Sequence, residues 1–312
     1  MRVHLAAVQA EVRREAYRSP EAFAGEVERR VAGALAGAPA GVPRVVAFPE
    51  LYALPLLFWL DAPSEVVEAP SLLAAALAWT RRLGRSALLG PWGFYRARAR
   101  AVWPVYLEAF RQAARRHRAY LVAGSLFAPR FDEEPARGLY PLTLAPRNLG
   151  LVLGPEGRVL ARPEKARLMP EERRALLRPG DPSSQIARTR IGTLAVLICL
   201  DAFHEALVER ADAAGAWLLV QPSANPAPWD RPWPPDPRRT EGEAWLAEGL
   251  ARRIAGREHL RYGLNPMLTG RFYELPFEGR SNLVGPEGIL ALAEGPRGDA
   301  VVAATVEAPD PG

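Results

Sequence analysis

Segments with the apolar pattern of a strand alternate along the chain with segments whose apolar residues have helical spacing. Val3–Val8 and Arg44–Phe48 are apolar runs typical of strands, and Ala22–Leu35 between them has helical spacing. Thr193–Cys199 and Trp217–Gln221 are continuously apolar, as in strands buried on both faces. Further helices are predicted at Ser71–Leu83, Tyr106–His117, Phe203–Ala214 and Glu241–Leu260, and further strands at Tyr120–Phe127, Tyr262–Leu268, Arg280–Val284 and Ala300–Val306. This order predicts a layered α/β domain with sheets inside and helices outside.

Two turns share one sequence pattern. Gly154-Pro155-Glu156-Gly157 separates strands predicted at Leu149–Leu153 and Arg158–Ala161, and Gly285-Pro286-Glu287-Gly288 repeats the pattern. Glycine and proline at these positions are typical of tight turns between antiparallel strands. We therefore expect two hairpins of similar build.

The chain is long enough to bury one large core, and no charged block or Ser/Gly/Pro-rich tract divides it. We predict one domain over residues 1–312, with an irregular stretch rich in proline and tryptophan after residue 50. The apolar run Leu54–Leu60 is too short to span a bilayer, and the N-terminus lacks the pattern of a signal peptide. These features predict a cytoplasmic protein with no membrane partner.

Charge and composition exclude several classes of function. The net charge is +5 and the isoelectric point about 9.7, but the basic residues are interleaved with almost as many acids, so we predict no nucleic-acid partner. One cysteine cannot form an internal disulfide, and four scattered histidines form no spaced ligand set. We predict neither a metal nor another cofactor. Abundant arginine and proline with little asparagine or glutamine fit a GC-rich genome or a thermophile.

Two residue types occur once each. Lys165 is the only lysine among 40 lysines and arginines, and Cys199 is the only cysteine. A lysine kept in so arginine-rich a chain suggests a site that needs a compact ammonium, although chance survival is the alternative. A buried cysteine is usually a small apolar residue, so the surrounding sequence must decide its role.

The ends of three predicted strands carry an acid, an amine and a thiol. Glu50 follows one apolar strand, Lys165 follows the first hairpin, and Cys199 ends a buried strand directly before a helix, where the helix dipole favours a thiolate. His204 lies five residues further along and no other histidine has a supporting context, so a Cys–His dyad is disfavoured. A buried carboxylate can serve as the base, and an ammonium can stabilise the oxyanion. The set suits acyl transfer through a thioester.

Three motifs in order resemble those of the nitrilase superfamily of carbon–nitrogen hydrolases. They are Phe48-Pro49-Glu50, Glu164-Lys165-Ala166-Arg167-Leu168 and Leu197-Ile198-Cys199-Leu200-Asp201. The resemblance extends from the first strand to the second glycine-rich turn. Arg167 stands where the family often has histidine, and Leu200 where it often has tyrosine or tryptophan.

The resemblance implies a four-layer α-β-β-α sandwich, usually assembled as a homodimer or a higher homo-oligomer. It implies that Glu50 is the base, Cys199 the nucleophile, and Lys165 with the Leu200 backbone N–H the oxyanion partners. It also implies a supporting glutamate after the lysine, for which Glu172 is the best match and Glu171 the competitor. Residues of about 51–105 would be an insert relative to the family.

The implied activity is hydrolysis of a small amide or carbamoyl compound. Nitrilases commonly have Trp-Glu after the cysteine, whereas Leu200 and Asp201 follow it here, so the amide is favoured over the nitrile. The alternatives are nitrile hydrolysis by the same triad and a catalytically silent interaction protein on the same fold. An acyl transferase or amide-forming enzyme is a further alternative, disfavoured because the chain lacks transmembrane helices and an ATP-binding domain.

Overall fold

The computed structural model describes residues 1–84, 92–130 and 145–309. The strands are β1 (Arg2–Val12), β2 (Arg44–Ala47), β3 (Tyr120–Ala128), β4 (Arg147–Leu153), β5 (Val159–Ala161), β6 (Ile186–Thr189), β7 (Gly192–Val196), β8 (Ala216–Val220), β9 (Pro232–Trp233), β10 (Asp236–Thr240), β11 (Tyr262–Asn265), β12 (Leu268–Phe272), β13 (Leu275–Phe277), β14 (Asn282–Gly285), β15 (Gly288–Leu292) and β16 (Ala300–Glu307). The α-helices are α1 (Pro20–Ala34), α2 (Leu56–Trp59), α3 (Ser64–Val67), α4 (Leu72–Leu83), α5 (Gly93–His117), α6 (Pro170–Arg174), α7 (Glu205–Ala213), α8 (Glu241–Glu248) and α9 (Leu250–Ile254). Short 3-10 helices cover Arg14–Tyr17, Pro182–Gln185 and Cys199–Phe203.

Two large sheets organise these elements. The first has the order β13-β12-β1-β2-β3-β4-β5, and β16 also pairs with β1. The second has the order β15-β14-β11-β8-β7-β6. The centre of each sheet is parallel, β1 with β2 and β3 in the first and β7 with β8 and β11 in the second. The chain segments that leave β2 and β7 therefore start from the carboxyl ends of central strands, where functional groups commonly lie in α/β sheets.

The alternation of side chains along β1 shows how the layers stack. Val3, Leu5 and Ala7 point into an apolar layer that also contains Leu194 and Val196 of the second sheet. Successive residues of a strand face opposite sides, so the residues between them point away from the second sheet.

The opposite faces of both sheets are covered by helices. Ala6 and Val8 of β1 pack in the same cluster as Phe23 of α1 and Phe110 of α5. On the second sheet, side chains of β7, of β8 and of the residue directly after β7 pack with α7 and α9. The buried members are Ala195, Leu197, Leu219, Leu207, Val208, Leu250 and Ile254. The order of layers is helix, sheet, sheet, helix, which confirms the predicted four-layer α-β-β-α sandwich.

Most predicted elements are present, including both hairpins. The single helix predicted over Glu241–Leu260 is wrong, because Gly249 leaves helical geometry at ψ −149° and separates α8 from α9. A side chain at position 249 would put its Cβ 2.3 Å from the carbonyl oxygen of Trp245. The helix predicted from Tyr106 starts much earlier, at Gly93, and continues through Pro104. Proline costs this helix one hydrogen bond, but the buried side chains on either side of it favour the continued helix.

Residues 51–84 and 92–105, most of the predicted insert, form α2, α3, α4 and the first half of α5; residues 85–91 lie outside the described part of the chain. Tyr52, Trp59, Trp79 and Trp103 are buried there, so these aromatic side chains pack in the core. Whether the stretch is an insertion relative to the family stays a prediction. Among the described residues, no helix has both the length and the apolar character needed to cross a bilayer.

A buried arginine ties this region together. The Arg98 guanidinium donates hydrogen bonds to the carbonyl oxygens of Leu57 and Leu60, both at 2.8 Å, and lies 3.9 Å from the centre of the Trp79 ring. Burial lowers the pKa of Arg98 to about 10. The cation therefore stabilises the carboxyl end of α2, where backbone carbonyls lack helical partners.

Replacing Arg98 by methionine tests this contact. We expect Arg98→Met to lower the free energy of unfolding by roughly 3 kcal/mol, because several buried carbonyl oxygens lose their donor. Urea denaturation followed by circular dichroism measures the change. Arg100→Met, at an exposed position of the same helix, is the matched control and should change stability by less than about 0.5 kcal/mol. Equal midpoints for the two variants would contradict the assigned role of Arg98.

Candidate active site

Glu50 is held in a tight turn beyond β2. The Phe48 amide still bonds to the Val122 carbonyl of β3 at 2.8 Å, and the Leu51 amide donates to Ser125 Oγ at 2.9 Å. Gly124 lies below this turn with φ +73°, and a Cβ on it would come within 2.3 Å of the Pro49 carbonyl oxygen. The absence of a side chain at position 124 lets the turn pack closely on β3, and Glu50 is only 2 % exposed.

Lys165 enters the same site from the segment after β5. Its backbone amide bonds to the Asn148 carbonyl at 2.9 Å, which holds the segment against β4. Its ammonium donates to Glu50 Oε1 at 2.7 Å and lies 2.8 Å from Glu172 Oε2. The buried Lys165 cation is therefore shared by two carboxylates.

The two competing glutamates of α6 have different surroundings. Glu172 is buried and accepts the Met169 amide at 2.8 Å, as an acid in the first turn of a helix often does. Glu171 points to solvent with a side chain 66 % exposed and pairs with Arg174. The structure brings Glu172, and not Glu171, to the lysine.

Cys199 lies in a sharp turn after β7. The strand predicted to end at Cys199 ends at Val196, although the Cys199 amide still bonds to the Pro222 carbonyl at 2.9 Å. Cys199 has φ +50°, a left-handed conformation that is costly for a residue with a side chain. The turn starts the 3-10 helix Cys199–Phe203, and Leu200 occupies its first turn, where backbone amides lack helical acceptors.

The protonation states follow from burial and from the neighbouring charges. Burial raises the pKa of the Cys199 thiol, the negative charge of Glu50 raises it further, and Lys165 opposes the rise only in part. Burial also raises the pKa of Glu50, again opposed by Lys165. Burial disfavours the ammonium of Lys165, but the charge of Glu50, supported by that of Glu172, outweighs it and raises the pKa of Lys165. The thiolate expected from the helix dipole is therefore not the resting form, and the thiol needs a base.

Two buried residues near the triad, Asn148 and Asp201, were not predicted from the sequence to have a role in the site. Asn148 donates to Glu50 Oε1 at 2.8 Å and to Glu172 Oε1 at 2.7 Å. The chain has four asparagines, and all four are buried, so their scarcity was a usable signal of the same kind as the single lysine. Asp201 belongs to the cysteine motif, but its partners are distant in sequence and no local pattern identifies them.

Asp201 links the cysteine turn to the lysine segment. Its carboxylate accepts the backbone amides of Ala166 at 2.8 Å and Arg167 at 2.6 Å, and the Gln185 side-chain amide at 2.6 Å. Burial raises the pKa of Asp201 to about 7, and the two backbone amides limit the rise because they favour the carboxylate. The residue two positions after Cys199 thus fixes the backbone directly after Lys165.

Within the described ranges, no three His, Cys, Asp or Glu side chains are grouped so that they could hold a metal ion.

The family model for carbon-nitrogen hydrolases matches residues 4–310, nearly the whole sequence. The chain belongs to the carbon–nitrogen hydrolase family. This assignment confirms the nitrilase-superfamily resemblance of the three motifs. No curated protein sequence matches this hydrolase.

Solved structures share the fold of this hydrolase at low sequence identity. A carbon-nitrogen hydrolase from Helicobacter pylori G27 aligns with a TM-score of 0.66 and 16 % identity, over 97 % of this chain and 88 % of that one. An amidase from Nesterenkonia sp. aligns with a TM-score of 0.61 and 21 % identity, over 100 % and 91 %. Saccharomyces cerevisiae Nit3, a member of branch 10 of the nitrilase superfamily, aligns with a TM-score of 0.60 and 17 % identity, over 98 % and 90 %. A structure of a mutant of the Nesterenkonia sp. AN1 amidase shows the acetamide moiety of fluoroacetamide added covalently at the active-site cysteine.

The Asp201 link can be tested without knowledge of a substrate. We expect Asp201→Asn to slow alkylation of Cys199 by iodoacetamide at least tenfold, because a displaced Lys165 no longer lowers the pKa of the thiol, and one pKa unit corresponds to a factor of about ten. Mass spectrometry measures the rate directly, since the chain has one cysteine.

Asp212→Asn is the matched control. Asp212 also accepts three backbone amides, those of Glu258, His259 and Leu260, but none of them belongs to the site. We expect it to lower the melting temperature while the alkylation rate stays that of the wild type. Similar alkylation rates in both variants would show that Asp201 does not position Lys165.

Proposed function

We propose that this chain hydrolyses a small amide or carbamoyl compound through a cysteine thioester and releases ammonia or an amine. One observation carries the proposal: the buried Glu50 carboxylate bonds to the Lys165 ammonium at 2.7 Å, and the charges of both groups act on the pKa of the buried Cys199 thiol. A base, a cation and a nucleophile in one buried site are the groups that acyl transfer to sulfur requires.

In the first half of the proposed reaction, Glu50 takes the thiol proton while sulfur attacks the carbonyl carbon. The carbonyl oxygen becomes an oxyanion, which the Lys165 ammonium and the Leu200 N–H stabilise among buried side chains. The carbon–nitrogen bond then breaks, and the departing nitrogen takes the proton from Glu50. The product is an acyl thioester on Cys199.

In the second half, a water molecule attacks the thioester and gives one proton to Glu50. The carbon–sulfur bond breaks, the carboxylic acid leaves, and the thiolate recovers the proton. Glu172 takes no proton in this scheme; its contact at 2.8 Å keeps the Lys165 ammonium beside Glu50.

The buried charges favour an enzyme over a silent interaction protein. Lys165, Glu50 and Glu172 are almost fully buried, and removing charged groups from water is costly even when they pair. A fold that served only as an interaction surface would gain nothing from this cost.

An amide is preferred to a nitrile as the substrate. Leu200 and Asp201 follow the cysteine where nitrilases commonly have Trp-Glu, and the amidase that carries an acetamide adduct has the same fold. The homo-oligomer implied by the family resemblance is part of the same proposal.

Ammonia release from primary amides, ω-amides, carbamoyl compounds and nitriles tests the proposal. We expect the wild type to release ammonia from at least one amide or carbamoyl compound. We expect Cys199→Ala to lower kcat by roughly 10³-fold or more, because no acyl-enzyme can form. We expect Lys165→Arg to be similarly inactive, because the planar guanidinium cannot replace a compact ammonium between two carboxylates. Release from nitriles alone, or from no compound, would contradict the assignment.

The two adjacent glutamates provide a matched pair of variants. We expect Glu172→Gln to lower kcat by about 100-fold, because the Lys165 ammonium loses one of its two anionic partners and its fixed position. Glu171→Gln should leave kcat unchanged, since this side chain is exposed and bonds only to Arg174 among the described contacts. Steady-state kinetics on the best substrate compares them. Equal activities would exclude a specific role for Glu172.

A further inference from the structure

Asn148 occupies an unusual place between the two buried glutamates. Its single side-chain nitrogen donates to Glu50 Oε1 at 2.8 Å and to Glu172 Oε1 at 2.7 Å, so both N–H groups are used. The side chain is fully buried at the start of β4, and its backbone carbonyl accepts the Lys165 amide. Asn148 and Lys165 therefore bridge the same pair of carboxylates, one as a neutral donor and the other as a cation.

The two oxygens of Glu50 have unequal partners as a result. Oε1 accepts both the Lys165 ammonium at 2.7 Å and the Asn148 amide. Among the described contacts, Oε2 accepts one backbone amide, that of Ala224, at 3.1 Å. A carboxylate oxygen has two favourable acceptor directions, so Oε1 is saturated and Oε2 retains one.

We propose that Asn148 is a positioning residue that holds Glu50 and Glu172 together and leaves Oε2 of Glu50 to receive the proton of the Cys199 thiol. In that step the S–H bond breaks, an O–H bond forms at Oε2, and the sulfur keeps the electron pair. The inference rests on the proposed role of Glu50 as the base.

The neutral character of the donor matters for this role. Two carboxylates share one ammonium here, and both need further hydrogen bonds because they are buried. A second cation at position 148 would stabilise the carboxylate of Glu50 so strongly that it would be a poor base. An amide stabilises the carboxylate less than a cation does, so Glu50 keeps enough basicity to take the thiol proton.

The expected pH effect follows from the charged form that Asn148 favours. Asn148 donates to the carboxylate of Glu50, so its removal raises the pKa of Glu50. Glu50 must be ionised to act, so the acid limb of the pH profile moves to higher pH. The other titratable or charged groups that act on Glu50 or share the site are Lys165, Glu172, Cys199 and Asp201. All four residues remain in the variant, and of these four Glu172 alone loses a hydrogen bond from Asn148 among the described contacts.

The test compares Asn148→Leu with the wild type in two pH profiles, that of kcat/KM and that of Cys199 alkylation by iodoacetamide. Leucine has nearly the shape of asparagine but no donor. We expect the acid limb of both profiles to move up by about one pH unit, a tenfold loss at low pH that is largely recovered at high pH. Asn148→Ala, which adds no bulk, should give the same shift if leucine does not fit.

Asn282→Leu is the matched control, because Asn282 is buried but contacts neither glutamate. The acid limbs of both pH profiles of Asn282→Leu should lie at the same pH as those of the wild type. An unmoved limb in both Asn148 variants, or an equal loss of rate at every pH, would overturn the inference. If no amide is hydrolysed but the alkylation limb still moves, the proposed function fails while the role of Asn148 stands.

Discussion

The shared ammonium of Lys165 is the interaction on which the site depends. It lies between Glu50 and Glu172 at 2.7 and 2.8 Å, and all three side chains are buried. Each charge would be costly in the core without the others, so the three segments that carry them must come together in one arrangement. The same cation opposes the burial that raises the pKa of Cys199 and of Glu50. The Lys165 ammonium therefore holds the three segments in place and also affects the pKa of both Glu50 and Cys199.

Backbone and side-chain contacts of the surrounding elements fix that arrangement. Gly124 lets the turn that carries Glu50 pack on β3, Asn148 at the start of β4 holds the lysine segment, and Asp201 ties that segment to the cysteine turn. Each contact joins segments that are distant in sequence but meet at one edge of the two sheets. Side chains fixed in this way need little reorganisation when charge develops on a bound substrate.

The resting thiol is consistent with a site built for proton transfer. Cys199 is held in a left-handed turn, and its pKa is raised by burial and by Glu50. A permanently ionised thiolate would place a further negative charge beside two carboxylates served by one cation. A neutral thiol avoids this charge until a substrate carbonyl can accept the electron pair, and the proposed base, Glu50, lies in the same buried site.

The sequence by itself determined the residue types and their order. The periodicity gave most strands and helices, the single lysine and cysteine marked two members of the site, and the motif order identified the third, Glu50. Tertiary structure alone decided that Glu172 and not Glu171 meets the lysine, that Asn148 bridges the glutamates, and that Asp201 supports the lysine segment. It also decided that the thiol is neutral and that Gly249 breaks a helix. These features depend on burial and on distances between residues far apart in the chain, such as Glu50 and Lys165, and local patterns carry no information about either.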